Sequence, residues 1–166
     1  DWMSDAGSLV RPGLLSDAKP CGVIRSRAAR TLEEVIAVMR YAEAAGKAPV
    51  RLHTGDSSIY GAVRERVDGL EKLQMSYDVC PGVSAFCGAA AALKAEYTLP
   101  DVSQTVIITR AAGETPVPEK ESIRSIAAHQ AQMVLFRSTS LTEQLHKDLP
   151  PGGHAETTPA AVGYKE

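Results

Sequence analysis

Two short turns and one long loop hold the residues of this chain that could do chemistry. In "RLHTGDSSIYG" (residues 51–61), an apolar run over residues 48–52 stops at Thr54–Gly55–Asp56. Gly55 has no Cβ, so a ligand can approach the backbone there. The Asp56 carboxylate can accept hydrogen bonds from ribose hydroxyls, from free backbone amides of the next helix, or from both. A Gly-Asp turn that only caps a helix uses the same residues. Tyr60 follows, able to stack on a flat ligand or to pack half-buried. In "CPGVSAF" (residues 80–86), Pro81 and Gly82 stand at a strand end, and Ser84 is the natural N-cap of a helix whose first N–H groups are unpaired. Capping alone accounts for that turn equally well. The loop in "TRAAGETPVPEK" (residues 109–120) mixes Arg110, Glu114, Glu119 and Lys120 with two prolines. Long ordered loops often carry function; a solvated connector has the same composition.

Several chemistries lack their residues. There is no G-x-x-x-x-G-K phosphate loop and no G-x-G-x-x-G turn. No Ser/His/Asp or Cys/His arrangement has a local signature. The histidines, His53, His129, His146 and His154, are scattered, and Cys21, Cys80 and Cys87 form no C-x-x-C pair, so no metal site is expected. Free thiols suit a reduced, cytoplasmic setting. A net charge of −2 supplies no basic field for nucleic acid or an anionic membrane. No apolar run approaches the ~18 residues of a membrane span. Asp1 comes first and Met3 lies inside "DWMSDAG", with no charged-then-apolar leader, so the chain reads as processed or as a fragment.

The elements that must position these residues alternate. "TLEEVIAVMRYAEAAG" is a helix with a Thr31/Glu34 capping box and a Gly46 stop. A short strand leads into Thr54. "SSIYGAVRERVDGLEKL" has helical period, with Ile59, Val63, Val67 and Leu70 on one face. "YDVCPG" reads as a short strand and "VSAFCGAAAALKA" as a small-residue helix. Pro100 and Asp101 mark a connection, and domains are expected at 1–99 and 100–166. Then come a strand "QTVIITR", a helix "EKESIRSIAAHQ" begun by Pro118, a strand "AQMVLFR", a helix "SLTEQLHKDL" with a Ser140/Glu143 box, a loop "PPGGHAETTP", and a strand beginning at "AAVGY". Alternation of this kind means βαβ units, an α/β fold class and mainly parallel pairing. Ligands of such sheets bind beyond the carboxyl ends of the strands.

"LHTGDSSIYGAVRE", "VCPGVSAF", "AAAALKAEYTLPDVSQTVIITRAAGETPVPEKE" and "TPAAV" together resemble the tetrapyrrole methylases of the cobalamin pathway. Within them, the Tyr97–Thr98–Leu99–Pro100 to Thr105 stretch and the Thr109 to Lys120 stretch are most similar to the precorrin-4 or cobalt-precorrin-4 carbon-11 methyltransferase. The resemblance covers about residues 6–165. It implies two small α/β domains enclosing S-adenosyl-L-methionine in a cleft, a homodimer, and methyl transfer to carbon 11, with S-adenosyl-L-homocysteine as product. It implies that Thr54, Gly55, Asp56, Ile59, Ser84 and Ala85 line the cofactor site from the first domain. From the second it implies Arg137, Ala160 and Ala161. Tyr60, Arg110 and Lys120 are expected at the substrate, the two cations facing its carboxylates. Alternatives are a non-catalytic member, a methylase acting at another tetrapyrrole position, and a generic nucleotide-binding module.

Against the family pattern, the opening strand with its "G-x-G-P-G-D" loop is expected to be missing, as are the last strands and helix. Both domains are then truncated, with an unpaired sheet edge that a second copy would cover. Ser57 stands where proline is usual, and Arg137 where an apolar residue is usual.

Overall fold

A computed structural model describes residues 2–4, 24–26, 31–113 and 115–163 of the chain. The chain divides into two units, Asp1–Gly88 and Ala89–Glu166. The division falls inside a helix, earlier than the Leu99–Pro100 connection.

The first unit holds strands β1 (Trp2–Ser4), β2 (Ile24–Ser26) and β3 (Val50–Leu52), with helices α1 (Leu32–Ala44) and α2 (Arg64–Lys72). The sheet order is β2-β1-β3, and both pairings are parallel. Strand β1 thus lies between its two successors, and the chain passes it on the way from β2 to β3. That reversal of order is a topological switch point, the place in a parallel sheet where ligands bind. Ser4 pairs with Leu52, so β1 and β3 end level.

Helix α1 forms as its capping box predicts. Glu34 N donates to Thr31 Oγ1 at 3.3 Å, and Thr31 N donates to Glu34 Oε2 at 2.9 Å. Val35, Met39 and Ala42 recur at helical spacing and are its buried face. Val35 and Met39 pack with Val38, Leu70 and Met75 as the core. At Gly69 of α2 the neighbouring atom is Ile36 Cδ1 of α1; glycine there lets the helices close on each other.

Two expectations fail in this unit. The helical period over residues 57–63 is not realised: residues 57–60 form a turn, and α2 begins at Arg64. Tyr60 (φ 54°) and Ala62 (φ 49°) adopt left-handed conformations that no helix continues through. Ile59 therefore does not share a helical face with Val67 and Leu70. Nor is "YDVCPG" a strand; residues 75–84 carry no regular structure. The Gly82 amide, one of its would-be ladder donors, bonds a side chain instead.

Helix α3 (Ala85–Leu93) follows, with no buried residue along its length. In the second unit β4 (Val106–Arg110) pairs in parallel with β5 (Gln132–Phe136), from Val106↔Gln132 to Arg110↔Phe136. Helix α4 (Ile123–Ala127) packs on α5 (Thr142–Gly152), where a Cβ on Gly152 would stand 2.7 Å from the Arg124 carbonyl oxygen. Ile123, Ala127 and Ala131 are buried.

Four further expectations fail in the second unit. The helix expected over 119–130 splits into a 3-10 turn, Glu119–Glu121, and α4. Ser122 (ψ 149°) breaks it and caps the second part, accepting Ser125 N at 3.3 Å. The Ser140/Glu143 box does not form, because Ser140 lies inside a 3-10 turn, Thr139–Leu141, and α5 starts with no side-chain cap. Helix α5 also runs through Pro150 and Pro151 in its last turn, where a loop was expected. Residues 160–163 form no strand; Tyr164 lies outside the described residues, as do Cys21 and Glu114.

Candidate functional site

Strand β3 ends at Leu52, and the chain turns through Thr54, Gly55 and Asp56 at the switch point of the first sheet. Gly55 has φ 76°, the left-handed region that glycine enters without a Cβ penalty. Asp56 reaches across to the second turn. Its Oδ2 accepts the Gly82 backbone N–H at 2.8 Å, and its Oδ1 accepts Ser58 N at 2.8 Å and the Ser58 hydroxyl. Of the uses open to this carboxylate, the structure realises amide acceptance, from its own turn and from the Pro81–Ser84 turn. The Ser58 hydroxyl, then the Gly82 amide, then the Ser58 amide favour the charged form, and hold the Asp56 carboxyl below the ordinary carboxylate range.

The two turns also touch through backbone. A Cβ on Gly82 would collide with the Gly55 carbonyl, and one on Gly55 would lie 3.2 Å from Ala85 N and 3.4 Å from Val83 O. Ser84 is buried, and its carbonyl accepts the Cys87 and Gly88 amides as α3 begins. Thr54 and Ala85 are exposed; Ile59 and Tyr60 are half-buried. Arg66, buried in α2, donates from Nη1 to the Gly61 carbonyl at 2.8 Å and steadies the stretch between turn and helix.

The carboxyl end of the second sheet is built around Arg110 and Ser138. The Arg110 guanidinium donates to the carbonyls of Thr115 at 2.9 Å, Pro116 at 2.9 Å and Ala111 at 3.4 Å. An irregular loop with two prolines has few internal ladder bonds, and this fork supplies its centre. Ser138, buried just past β5, accepts the Ala111 N–H at 3.2 Å and donates to the Phe136 carbonyl at 2.8 Å. One hydroxyl thus ties the exits of β4 and β5 together. Arg137 follows β5 directly, exposed, at φ 53°. Lys120 is exposed in the 3-10 turn, and Ala160 and Ala161 are exposed in irregular chain.

Comparison with known proteins gives the arrangement its family. The model of the tetrapyrrole (corrin/porphyrin) methylases matches residues 7–165.

The chain belongs to the tetrapyrrole methylases.

Among curated methylases it is 50% identical over 159 residues to the cobalt-precorrin-4 C(11)-methyltransferase of Methanocaldococcus jannaschii, covering 96% of this chain and 61% of that protein. It is 39% identical over 158 residues to the precorrin-4 C(11)-methyltransferase of Mycobacterium tuberculosis, covering 95% and 63%. The X-ray structure of a cobalt precorrin-4 methyltransferase, described as a cobalamin biosynthetic enzyme, superposes with a TM-score of 0.86 at 39% identity, over 92% of this chain and 64% of that one. The methylase chain described here therefore spans less than two thirds of each of these relatives.

Within the first unit, Gly55, Asp56, Ser84 and Ala85 meet in one junction, and Thr54 flanks it. Arg110, Arg137, Lys120, Ala160 and Ala161 belong to the second unit. Sequence reading missed Ser58 and Ser138. Ser58 had a signal, a hydrogen-bonding residue two positions after an aspartate that can close an Asx turn. Ser138 had none, because its partner Ala111 is 27 positions away. Among the described residues no group of three or more His, Cys, Asp or Glu side chains could hold a metal ion. No helix among them is long and apolar enough to cross a membrane.

Proposed function

We propose that this methylase transfers a methyl group from S-adenosyl-L-methionine to carbon 11 of cobalt-precorrin-4 or precorrin-4, as part of cobalamin biosynthesis, and that it works as a cytoplasmic homodimer. The observation that supports the reading is the 50% identity sustained along 159 residues with a cobalt-precorrin-4 C(11)-methyltransferase.

The residues of the first unit fit the cofactor. Over residues 54–60 and 80–85 the only charged side chain is Asp56, so no cation opposes a sulfonium. Gly55 and Gly82 keep the backbone of both turns clear of side chains at their junction. Thr54, Gly55, Asp56, Ile59, Ser84 and Ala85 would hold the cofactor within this unit. When bound, S-adenosyl-L-methionine supplies an activated methyl group. The chain's own task is alignment of donor and acceptor, which is worth on the order of 7–11 kcal/mol when it is good. Tyr60 offers an aromatic face to the tetrapyrrole, and Lys120 a cation to its carboxylates. Arg110 acts on substrate through the loop whose carbonyls it holds, since three of its hydrogen bonds go there.

Calorimetric titration with S-adenosyl-L-homocysteine tests the reading. Saturable micromolar binding is expected. A folded chain that evolves no heat at any concentration of this ligand overturns it. Incorporation of labelled methyl into cobalt-precorrin-4, compared with metal-free precorrin-4, then decides the acceptor.

A further inference from the structure

We propose that Asp56 is the positioning residue of the cofactor site: its carboxylate locks the Pro81–Ser84 turn onto the Thr54–Asp56 turn and makes no contact with the ribose. The inference rests on the cofactor reading above and assigns one residue within it a different task.

The hydrogen bonds of the carboxylate carry the inference. An ionised carboxylate has two oxygens and about four acceptor positions. Three are occupied within the chain, by Ser58 N, the Ser58 hydroxyl and Gly82 N. Each oxygen has a backbone amide: Oδ1 takes Ser58 N and Oδ2 takes Gly82 N, each at 2.8 Å. The Gly82 bond spans 26 positions of sequence and joins the segment after β3 to the segment before α3. Charge-assisted bonds of this kind are about twice as strong as neutral ones.

The surroundings make that bond decisive. Residues 76–83 are exposed and irregular, so no strand pairing holds them. Val83 is 74% exposed, so its side chain gives the segment no buried anchor. Gly82 leaves no room for a side chain against the Gly55 carbonyl, so the turn is located by close backbone contact and by the Asp56 carboxylate. Losing the carboxylate would free the 80–84 segment and, with it, the first residues of α3.

Asn and Glu separate this role from the two others that an aspartate could play. Asn has one acceptor atom where two backbone N–H groups need one each, so Asp56→Asn must leave an amide facing an NH2 group. Asp56→Glu keeps the charge but lengthens the arm by one CH2, so it preserves any long-range attraction to a sulfonium while spoiling the clamp.

The test combines exchange and binding on the full chain, with circular dichroism confirming that each variant is folded. Hydrogen exchange at the Gly82 amide, without ligand, is expected to accelerate in both variants. Affinity for S-adenosyl-L-homocysteine is expected to fall on the order of 10-fold or more in both. The loss caused by removing a ribose hydroxyl from the ligand, measured with 2′-deoxy and 3′-deoxy analogues, is expected to be equal in the wild type and in Asp56→Asn. Unchanged Gly82 exchange overturns the proposal. So does full affinity in Asp56→Glu, which makes charge the operative property, or a deoxy-analogue penalty that disappears in Asp56→Asn, which makes Asp56 a ribose ligand. Absence of binding by the wild type overturns the cofactor reading instead; accelerated Gly82 exchange in the variants then still identifies Asp56 as the clamp of the two turns.

Discussion

Gly82 presses its backbone onto the carbonyl of Gly55 so closely that a Cβ on Gly82 would overlap that oxygen and come within 3.4 Å of Asp56 Cα. The obstacle is backbone on both sides, with no flexible side chain able to yield. Gly82→Ala should therefore cost about 1–3 kcal/mol, in the range of overpacked sites, and should weaken S-adenosyl-L-homocysteine binding with it. Chemical denaturation followed by titration checks both; wild-type values for this variant would show that the turns separate freely.

Gly88, six positions on, is the opposite case. A Cβ there meets nothing within 4 Å, and the residue lies inside α3 at an exposed position. Gly88→Ala should stabilise the chain by roughly 0.5–1 kcal/mol, because alanine loses less backbone freedom in a helix. A lowered denaturation midpoint would mean that something covers this face in solution.

Arg110 should resist even the substitution that keeps its charge. One guanidinium reaches the carbonyls of Ala111, Thr115 and Pro116, and an ammonium lacks that planar fork. Arg110→Lys is expected to loosen the loop over residues 111–118, seen as faster exchange of the Gly113 amide, which bonds the Thr115 carbonyl. If Arg110 instead meets substrate carboxylates directly, lysine should retain much of the substrate affinity and leave Gly113 exchange unchanged.

Ser138 joins the exits of β4 and β5 through one buried hydroxyl. Ser138→Ala removes the acceptor of Ala111 N–H and should cost about 1–3 kcal/mol, the penalty of a polar group left unsatisfied. The denaturation midpoint of the variant reads this directly, and a shift near zero would show that water takes the hydroxyl's place.

Stability should depend on acid through Asp56. Its folded carboxyl titrates below the ordinary carboxylate range, chiefly through the Ser58 hydroxyl and the Gly82 amide. The unfolded chain therefore takes up the proton first as pH falls. The stabilisation is complete above the unfolded value of about 3.9 and disappears as pH drops through the lower folded value. Denaturation midpoints measured from pH 6 to pH 2 should show a steeper acid decline in the wild type than in Asp56→Asn. Parallel curves would contradict it.

What was legible in the sequence is whatever depends on neighbours a few residues apart. Thr31 and Glu34 bond each other within one turn, so the start of α1 could be read from their spacing. The β-branched run Val106–Arg110 and the apolar run Gln132–Phe136 are strands because their own side chains favour extended backbone. Alternation of strand and helix was enough for parallel pairing, and the four segments from Leu52 to Val162 that resemble the methylases were together enough for the family.

Tertiary structure decided where a local pattern had a distant competitor. Helical spacing over residues 59–70 holds only from Arg64, because the Asp56–Ser58 turn and left-handed Tyr60 and Ala62 take the chain out of the helix first. Ser140 and Glu143 have the spacing of a capping box, yet a 3-10 turn claims Ser140. The sequence by itself determined which residues could serve Asp56, namely any free amide or hydroxyl. Only the fold chose Gly82, 26 positions away, because a carboxylate bonds whatever donor the backbone brings within 3 Å, and that proximity is a property of the packed chain rather than of any stretch of it.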